Sequence, residues 1–367
     1  MNRRNFLATP ALAAALSAAE HAAPSLPVVA SGDGLSLTPV DYAAFLQKQA
    51  PGLKPDSYSI GGVVAQLEEK VAAALGKEFA VWLPTGTLAN HMAVRLLAGE
   101  KRRVLVQAEA HLFNDCGDCC QTLSGLHLVP LAPGQATFTL AQVAAEAERA
   151  TSGRVTVPIG AIQIETPVRR KSGEAFDYEE MKRISAWARD RRIGLHLDGA
   201  RLFLASAYSG IPVTDYARLF DTVYVSMYKY FNAASGALLA GPRALLENLF
   251  HARRMFGGGL SHVWPFAAVA GACFDGFPDR YSQAVKTSEQ VIAELKQDSR
   301  FEIDRIANGT NIFGLRLMQG DAKRFQERLR GAGVVVPDPV NGRFLLSVNE
   351  TWNRVPARAI SHAFRNA

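Results

Sequence analysis

Apolar runs of strand length alternate with helix-spaced apolar positions along most of the chain, and that alternation predicts an α/β fold. Phe79 to Leu83, Val104 to Val106, Ala161 to Ile164, Ile193 to Leu197 and Thr222 to Val225 read as strands, and Ala234 to Gly241 returns as another. Val63, Leu67, Val71 and Leu75 recur at helical spacing and stop at Gly76. Leu88 to Leu97 is an apolar helix, and Asp177 to Arg191 is a helix with a start cap and a basic end. Thr38 to Asp41 caps a short helix, Pro51 to Gly62 is a loop broken by proline and glycine, and Pro24 to Gly34 is linker-like. From Phe277 the character changes. A polar helix to about Ser299, strands at Phe301 to Ile303, Thr310 to Leu317 and Arg343 to Val348, and a helix from Gly320 to Gly331 make a small α+β unit.

Polar residues gather where two of the strands end. Ile193 to Leu197 runs into Asp198, and Thr222 to Val225 hands over to Ser226 and then Lys229. Open parallel sheets place their sites at the C-terminal ends of strands, so this acid and this amine face one crevice. A pyridoxal phosphate enzyme needs that pair: an amine to hold the cofactor and an anion to keep its ring nitrogen protonated. Taken alone, the two residues equally suit a surface lysine and a helix-capping aspartate. Gly86 and Thr87 form a turn at a helix N-terminus, where free N–H groups and the helix dipole favour an anion.

The wider text decides between these readings. His196-Leu197-Asp198-Gly199-Ala200-Arg201-Leu202, the Lys229 segment, Pro84-Thr85-Gly86-Thr87-Leu88-Ala89-Asn90, and Leu67-Glu68-Glu69-Lys70 with Leu75-Gly76-Lys77-Glu78 lie within residues 56 to 260. Together they resemble the threonine aldolase and aromatic amino acid β-eliminating lyase family, pyridoxal-phosphate-dependent enzymes of the type I, aspartate aminotransferase-like fold. The resemblance implies a three-layer α/β/α large domain over residues 46–280, with a mixed, mostly parallel seven-stranded sheet. It also implies a small C-terminal α+β domain over 281–367, and an N-terminal linker or arm over 24–45.

By the same resemblance Lys229, His111 and Asp198 are catalytic: Lys229 holds the cofactor, Asp198 meets its ring nitrogen, and His111 lies flat against the ring. Gly86, Thr87 and Ser226 bind the cofactor phosphate. Arg201 stands beside the cofactor and takes the substrate carboxylate, Arg343 is the second arginine for that group, and Tyr58 lines the pocket. The implied reaction cleaves a β-hydroxy-α-amino acid to glycine and an aldehyde in a homodimer or homotetramer. β-Elimination, or a silent exported protein that keeps the fold to bind a ligand, are the alternatives. Three departures stand out. Cys116 replaces the relatives' glutamate five residues after the histidine, and Val168 stands near the place of a histidine that is a candidate base for the β-hydroxyl. Beyond Gly257–Gly259, Ser261 or His262 replaces an arginine. Arg253 and Arg254 match a basic pair that reaches a phosphate in the relatives. Arg169 and Arg170 are either surface charge or face an acidic substrate.

Composition adds limits. The chain has 367 residues, 48% hydrophobic and 20% charged, enough for a large core and a smaller domain. Its net charge of +6 comes without a basic tract, which argues against nucleic acid as a partner. Arg3-Arg4-Asn5-Phe6-Leu7 and the alanine-rich run to Ala19 read as a twin-arginine signal over residues 1–23, implying a periplasmic location. That run is too short and alanine-rich for a membrane anchor. Cys116, Cys119 and Cys120 lack the second pair of a zinc site, so no metal is expected. A disulfide among them and small buried side chains on a helix both remain open.

Overall fold

The computed structural model describes residues 26–367; the twin-arginine segment lies outside the described residues. In chain order the strands are β1 (Val28–Val29), β2 (Phe79–Leu83), β3 (Arg103–Gln107), β4 (His127–Leu131), β5 (Ile159–Glu165), β6 (Gly194–Asp198), β7 (Thr222–Ser226), β8 (Ala237–Gly241), β9 (Phe301–Arg305), β10 (Ile312–Leu317), β11 (Val334–Val335) and β12 (Arg343–Ser347). Seven of them form one sheet in the order β2-β8-β7-β6-β5-β3-β4, in which β8 alone runs antiparallel to its neighbours. This is the mixed, mostly parallel sheet that the resemblance implies.

Both faces of that sheet are apolar, and the strand pleat sorts its residues into two layers of core. Leu105, Val223 and Val225 pack on one side with α2 (Gly62–Leu75) and the Tyr178–Asp190 helix, through Val64, Leu67, Met181 and Ile184. Val104, Val106 and Tyr224 point to the other side, where α3 (Gly86–Ala98) lays Met92, Ala93, Val94 and Ala98 against them. The approach of α3 is close enough to demand glycine in β5. A Cβ on Gly160 would lie 2.7 Å from the carbonyl oxygen of Ala98. Gly76 ends α2 with φ +63°, as its place after the last apolar position predicts.

A second sheet, β12-β10-β9, is antiparallel and carries its own core. The Phe277–Leu295 helix joins the two units. Phe277 and Tyr281 belong to the large core, Ala284, Val291 and Leu295 to the small one.

The reading of Pro24 to Gly34 as linker gives way from Val28 onward. β1 pairs in parallel with β11, and Val28 and Ala30 are fully buried in the small core. The Asn349 amide donates to the carbonyls of Val29, Ser31 and Gly32. Among the described residues no helix is long and apolar enough to cross a membrane.

Candidate active site

The C-terminal ends of β3, β5, β6 and β7 point the same way, and the polar residues that follow them converge. Asp198 closes β6 and is 1% exposed. The Asn90 side-chain amide donates to its Oδ2 at 2.6 Å and the Ala200 N–H to its Oδ1 at 3.1 Å. Both donors are neutral amides, so the negative charge is left for a cation to meet. Asn90 comes from α3, where it is fully buried on the face turned to the sheet. With its nitrogen committed to Asp198, its oxygen accepts from His196 Nε2 at 2.8 Å, and His196 Nδ1 accepts from the Thr222 hydroxyl at 2.9 Å. Burial pushes the His196 pKa down to about 4 against the pull of Asp198, which keeps the imidazole neutral, as this bonding pattern requires.

His111 follows β3 at the start of a short helix, half-buried. Its backbone N–H donates to Glu165 Oε2 at 2.6 Å, while Glu165 Oε1 accepts from the Arg169 backbone N–H at 2.9 Å. Glu165 ends β5 directly opposite Asp198 and is 4% exposed. Burial first, and the neighbouring Asp198 second, push its carboxyl up. His111 Nδ1 lies 3.3 Å from Asp115, which also accepts from Arg169 at 2.6 Å. This assigns Arg169 to the histidine's support, while Arg170 reaches Asp115 only at 3.4 Å. A hydrogen bond with Cys116 raises the pKa of His111, opposed by burial and assisted by the charge of Asp198.

Lys229 lies three residues beyond β7. Its Nζ is 4.9 Å from the centre of the Tyr228 ring and 5.9 Å from that of Tyr224. Burial lowers its pKa, and the positive charge of Arg201 lowers it further, while Tyr228, Asp198 and Asp33 act the other way. A pocket of about 630 Å³ opens beside it, lined by Asp33, Leu37, Tyr42, Tyr228 and Ala234 among others. Ser226 Oγ and Tyr224 Oη are buried hydroxyls without a protein partner. Gly86 begins α3 within reach of that tyrosine, since a Cβ there would stand 2.1 Å from Tyr224 Oη.

Residues 52–327 match the family described as beta-eliminating lyase. The chain belongs to the threonine aldolase and aromatic amino acid β-eliminating lyase family. Low specificity L-threonine aldolase of Saccharomyces cerevisiae is 29% identical over 207 residues, 56% of this chain and 53% of that protein. The chain thus spans about half the length of the yeast relative. Low-specificity L-threonine aldolase 1 of Arabidopsis thaliana is 24% identical over 74% of this chain and 77% of its own length. Among solved structures, an aromatic amino acid β-eliminating lyase/threonine aldolase assigned in Exiguobacterium superposes with a TM-score of 0.77 at 25% identity, covering 93% of this chain and 96% of that one. A protein of Listeria monocytogenes assigned as an L-allo-threonine aldolase gives 0.76 at 25% identity, covering 93% and 95%.

The family's cofactor is pyridoxal phosphate, and the residues present fit it. The buried Asp198 carboxylate has the charge and the exposure that a protonated ring nitrogen needs. The orphaned hydroxyls of Ser226 and Tyr224, next to the free first-turn N–H groups of α3, suit a phosphate. Thr85 caps that turn by accepting from the Leu88 N–H at 3.1 Å, and the Thr87 hydroxyl lies 3.6 Å from Cys116 Sγ. Thus Gly86, Thr87, Ser226, His111, Asp198 and Lys229 are gathered at one end of the sheet.

The remaining expected residues divide between the site and other places. Arg201 is in the site, with Asp33 bound at 2.9 Å to its Nε and 2.8 Å to its Nη2. Arg343 is paired with Asp304 of β9 across Gly314 of the small sheet. It opens β12, whereas the end of β12 that meets the arm is Ser347, whose N–H donates to Ala30. Four residues of strand, about 13 Å, separate the two. Tyr58 is 43% exposed, with Arg254 stacked over its ring at 4.9 Å, and does not line the pocket beside Lys229. Arg253 is 1% exposed and gives its guanidinium to the carbonyls of Trp82 and Tyr58 at 2.6 and 2.9 Å.

Cys116, Cys119, Cys120 and Cys273 are free thiols, with Cys119 half-buried and the others buried. Among the described residues no three metal-binding side chains are grouped.

Proposed function

We propose that this protein is a lyase that cleaves the Cα–Cβ bond of a β-hydroxy-α-amino acid, releasing glycine and an aldehyde. The observation that carries the reading is the convergence of Lys229, His111, Arg201 and the neutrally bonded Asp198 carboxylate at the ends of β3, β6 and β7. Pyridoxal phosphate, when bound, supplies the electron sink for the carbanion left at Cα. Lys229, with a lowered pKa, supplies the amine that anchors the cofactor and yields to the substrate. Asp198 holds positive charge at the ring nitrogen, and Asn90 and His196 hold Asp198. Arg201 binds the substrate carboxylate.

The β-hydroxyl proton needs an acceptor. Val168 is fully buried and has none to offer, so the imidazole of His111 takes that role. Purified holoenzyme offered a panel of β-hydroxy amino acids tests the reading: aldehyde with glycine supports it, and ammonia with an oxo acid supports β-elimination instead. Neither product with any member points to a binding protein.

The proposal includes a homodimer or homotetramer, supported by the resemblance of Arg253 to Gly259 to a stretch that in relatives reaches a neighbouring site, and checked by light scattering. It includes a small-molecule substrate and no nucleic acid, in keeping with a net charge of +6 that forms no basic tract. It also includes periplasmic export, supported by Arg3-Arg4-Asn5-Phe6-Leu7. Changing both arginines to lysine then leaves precursor in the cytoplasm, whereas normal delivery of that variant rules out the twin-arginine route.

A further inference from the structure

We infer that Asp33 is a positioning residue for substrate recognition: it grips Arg201 by one edge of the guanidinium and so presents the other edge to the α-carboxylate of an amino acid. This rests on the amino acid reading of the site, but it concerns capture rather than cleavage. A guanidinium has two edges that can meet a carboxylate in bidentate fashion, the Nε/Nη2 side and the Nη1/Nη2 end. Asp33 Oδ2 takes the side edge, at 2.9 and 2.8 Å. The end edge is directed away from it. An entering carboxylate therefore meets an oriented fork and displaces no internal anion.

The surroundings show a built device. The Arg201 and Asp33 side chains are only 17% and 12% exposed, and burial of an unpaired guanidinium is costly. Asp33 Oδ1 is within 3.4 Å of the Asn311 amide at the start of the small-domain sheet, so the pair links arm, large domain and small domain. The arm is seated from the other side as well. Leu35 N–H donates to Asn232 Oδ1 at 2.6 Å, and a Cβ on Gly34 would lie 2.4 Å from that oxygen and 2.7 Å from the carbonyl of Lys229. No side chain fits between the arm and the lysine loop. Asp33 and Lys229 consequently line the same pocket. With Arg343 bound to Asp304, Arg201 carries the carboxylate contact in this arrangement, and its aim matters correspondingly more.

The test uses the holoenzyme with glycine, which offers a carboxylate but no β-hydroxyl, and with ethylamine, which offers no carboxylate. Both are titrated by the change in visible absorbance of the bound cofactor. Asp33→Asn keeps the shape and removes the charge. Its expected effect is a dissociation constant for glycine raised on the order of tenfold or more, with the ethylamine response unchanged. In an Arg201→Ala background, Asp33→Asn should add nothing further, because it acts through Arg201. An unchanged glycine constant overturns the inference, as does an equal weakening of glycine and ethylamine, the result expected of a structural latch. Should Asp33→Asn fail to fold, Gly34→Ala, which crowds the arm off its seat, must give the same selective loss of glycine. Failure of the lyase reading would appear as absent aldehyde and leave glycine capture measurable.

Discussion

Asn90 and Asp198 lie 108 positions apart in the chain and 2.6 Å apart in space, and His196 extends the contact to Thr222. The acid expected to meet the cofactor is thus held by a helix on one side of the sheet rather than by its own loop alone. Asn90→Leu leaves Asp198 Oδ2 and His196 Nε2–H without partners. Each orphaned buried group costs about 1–3 kcal/mol. Expected are a lower urea midpoint in the apoprotein and weaker retention of pyridoxal phosphate on dialysis. A variant that keeps both at wild-type levels would show that the chain of bonds is dispensable.

Lys229 is expected to carry the cofactor covalently. Borohydride reduction of the yellow holoprotein should fix the label to the one peptide containing Lys229. Lys229→Ala should fold, as judged by the same circular dichroism, but take no label. Label on any other lysine peptide would disprove the assignment.

Much of this site was legible because it follows from strand ends. The apolar runs into Asp198 and toward Lys229, and the Gly86 turn, are local patterns whose physical meaning does not depend on distant partners. Asn90, His196 and Asp33 were not legible. His196 is polar between Leu195 and Leu197 in a buried strand, a sign that a partner must exist, but the partner sits 106 residues away. Asp33 lies in a glycine-flanked stretch with no periodicity, where nothing local announces Arg201. Arg343 shows the converse: its type and order fit a carboxylate ligand, yet the register of β12 against β10 carries it to the far end of the strand, over Gly314 and beside Asp304. Register depends on the pairing strand and is not written in either strand alone.

Two kinds of buried group give opposite slopes of stability against pH. Burial depresses the pKa of His196 and of His91 from 6.5 to about 4, so between those values the unfolded chain binds protons that the folded chain refuses, and stability falls as pH falls. Burial raises the Glu68 pKa from 4.5 to about 7, so the folded chain keeps a proton that the unfolded chain has lost, and stability falls as pH rises through that window. Glu68→Gln retains an acceptor for the Trp82 backbone N–H, bonded at 2.7 Å in the parent, and removes the Glu68 share of the second slope. The variant's apoprotein stability should therefore gain on the parent's from pH 5 to 7, by roughly 2 kcal/mol over that interval. Parallel urea midpoints for parent and variant across pH would refute this.

The proton acceptor for the β-hydroxyl is the remaining question of chemistry, and the surroundings of His111 set its pH dependence. Val168, in or near the place where the resemblance leads one to expect a histidine, has a fully buried aliphatic side chain, so no base arises there. His111 has Nδ1 toward Asp115 at 3.3 Å, and its imidazole is the group proposed to accept the proton. Its pKa is raised, first by the hydrogen bond with Cys116 and then, against burial, by the charge of Asp198 and by Asp115. A base with a raised pKa is protonated over more of the neutral range. The rate of aldehyde release should therefore fall toward acid along a limb centred above the ordinary histidine value of 6.5. Asp115→Asn removes one of the raising contacts and should move that limb toward lower pH. His111→Phe keeps a flat stacking face but no acceptor, and should lower turnover by about 10²–10⁴-fold with the visible spectrum of the bound cofactor nearly intact. Steady-state aldehyde release between about pH 6 and 9 for the three proteins separates the cases. If His111→Phe retains the parental rate and profile, His111 is a stacking platform and the acceptor lies elsewhere. Asp115 and Cys116 are then the next groups to replace.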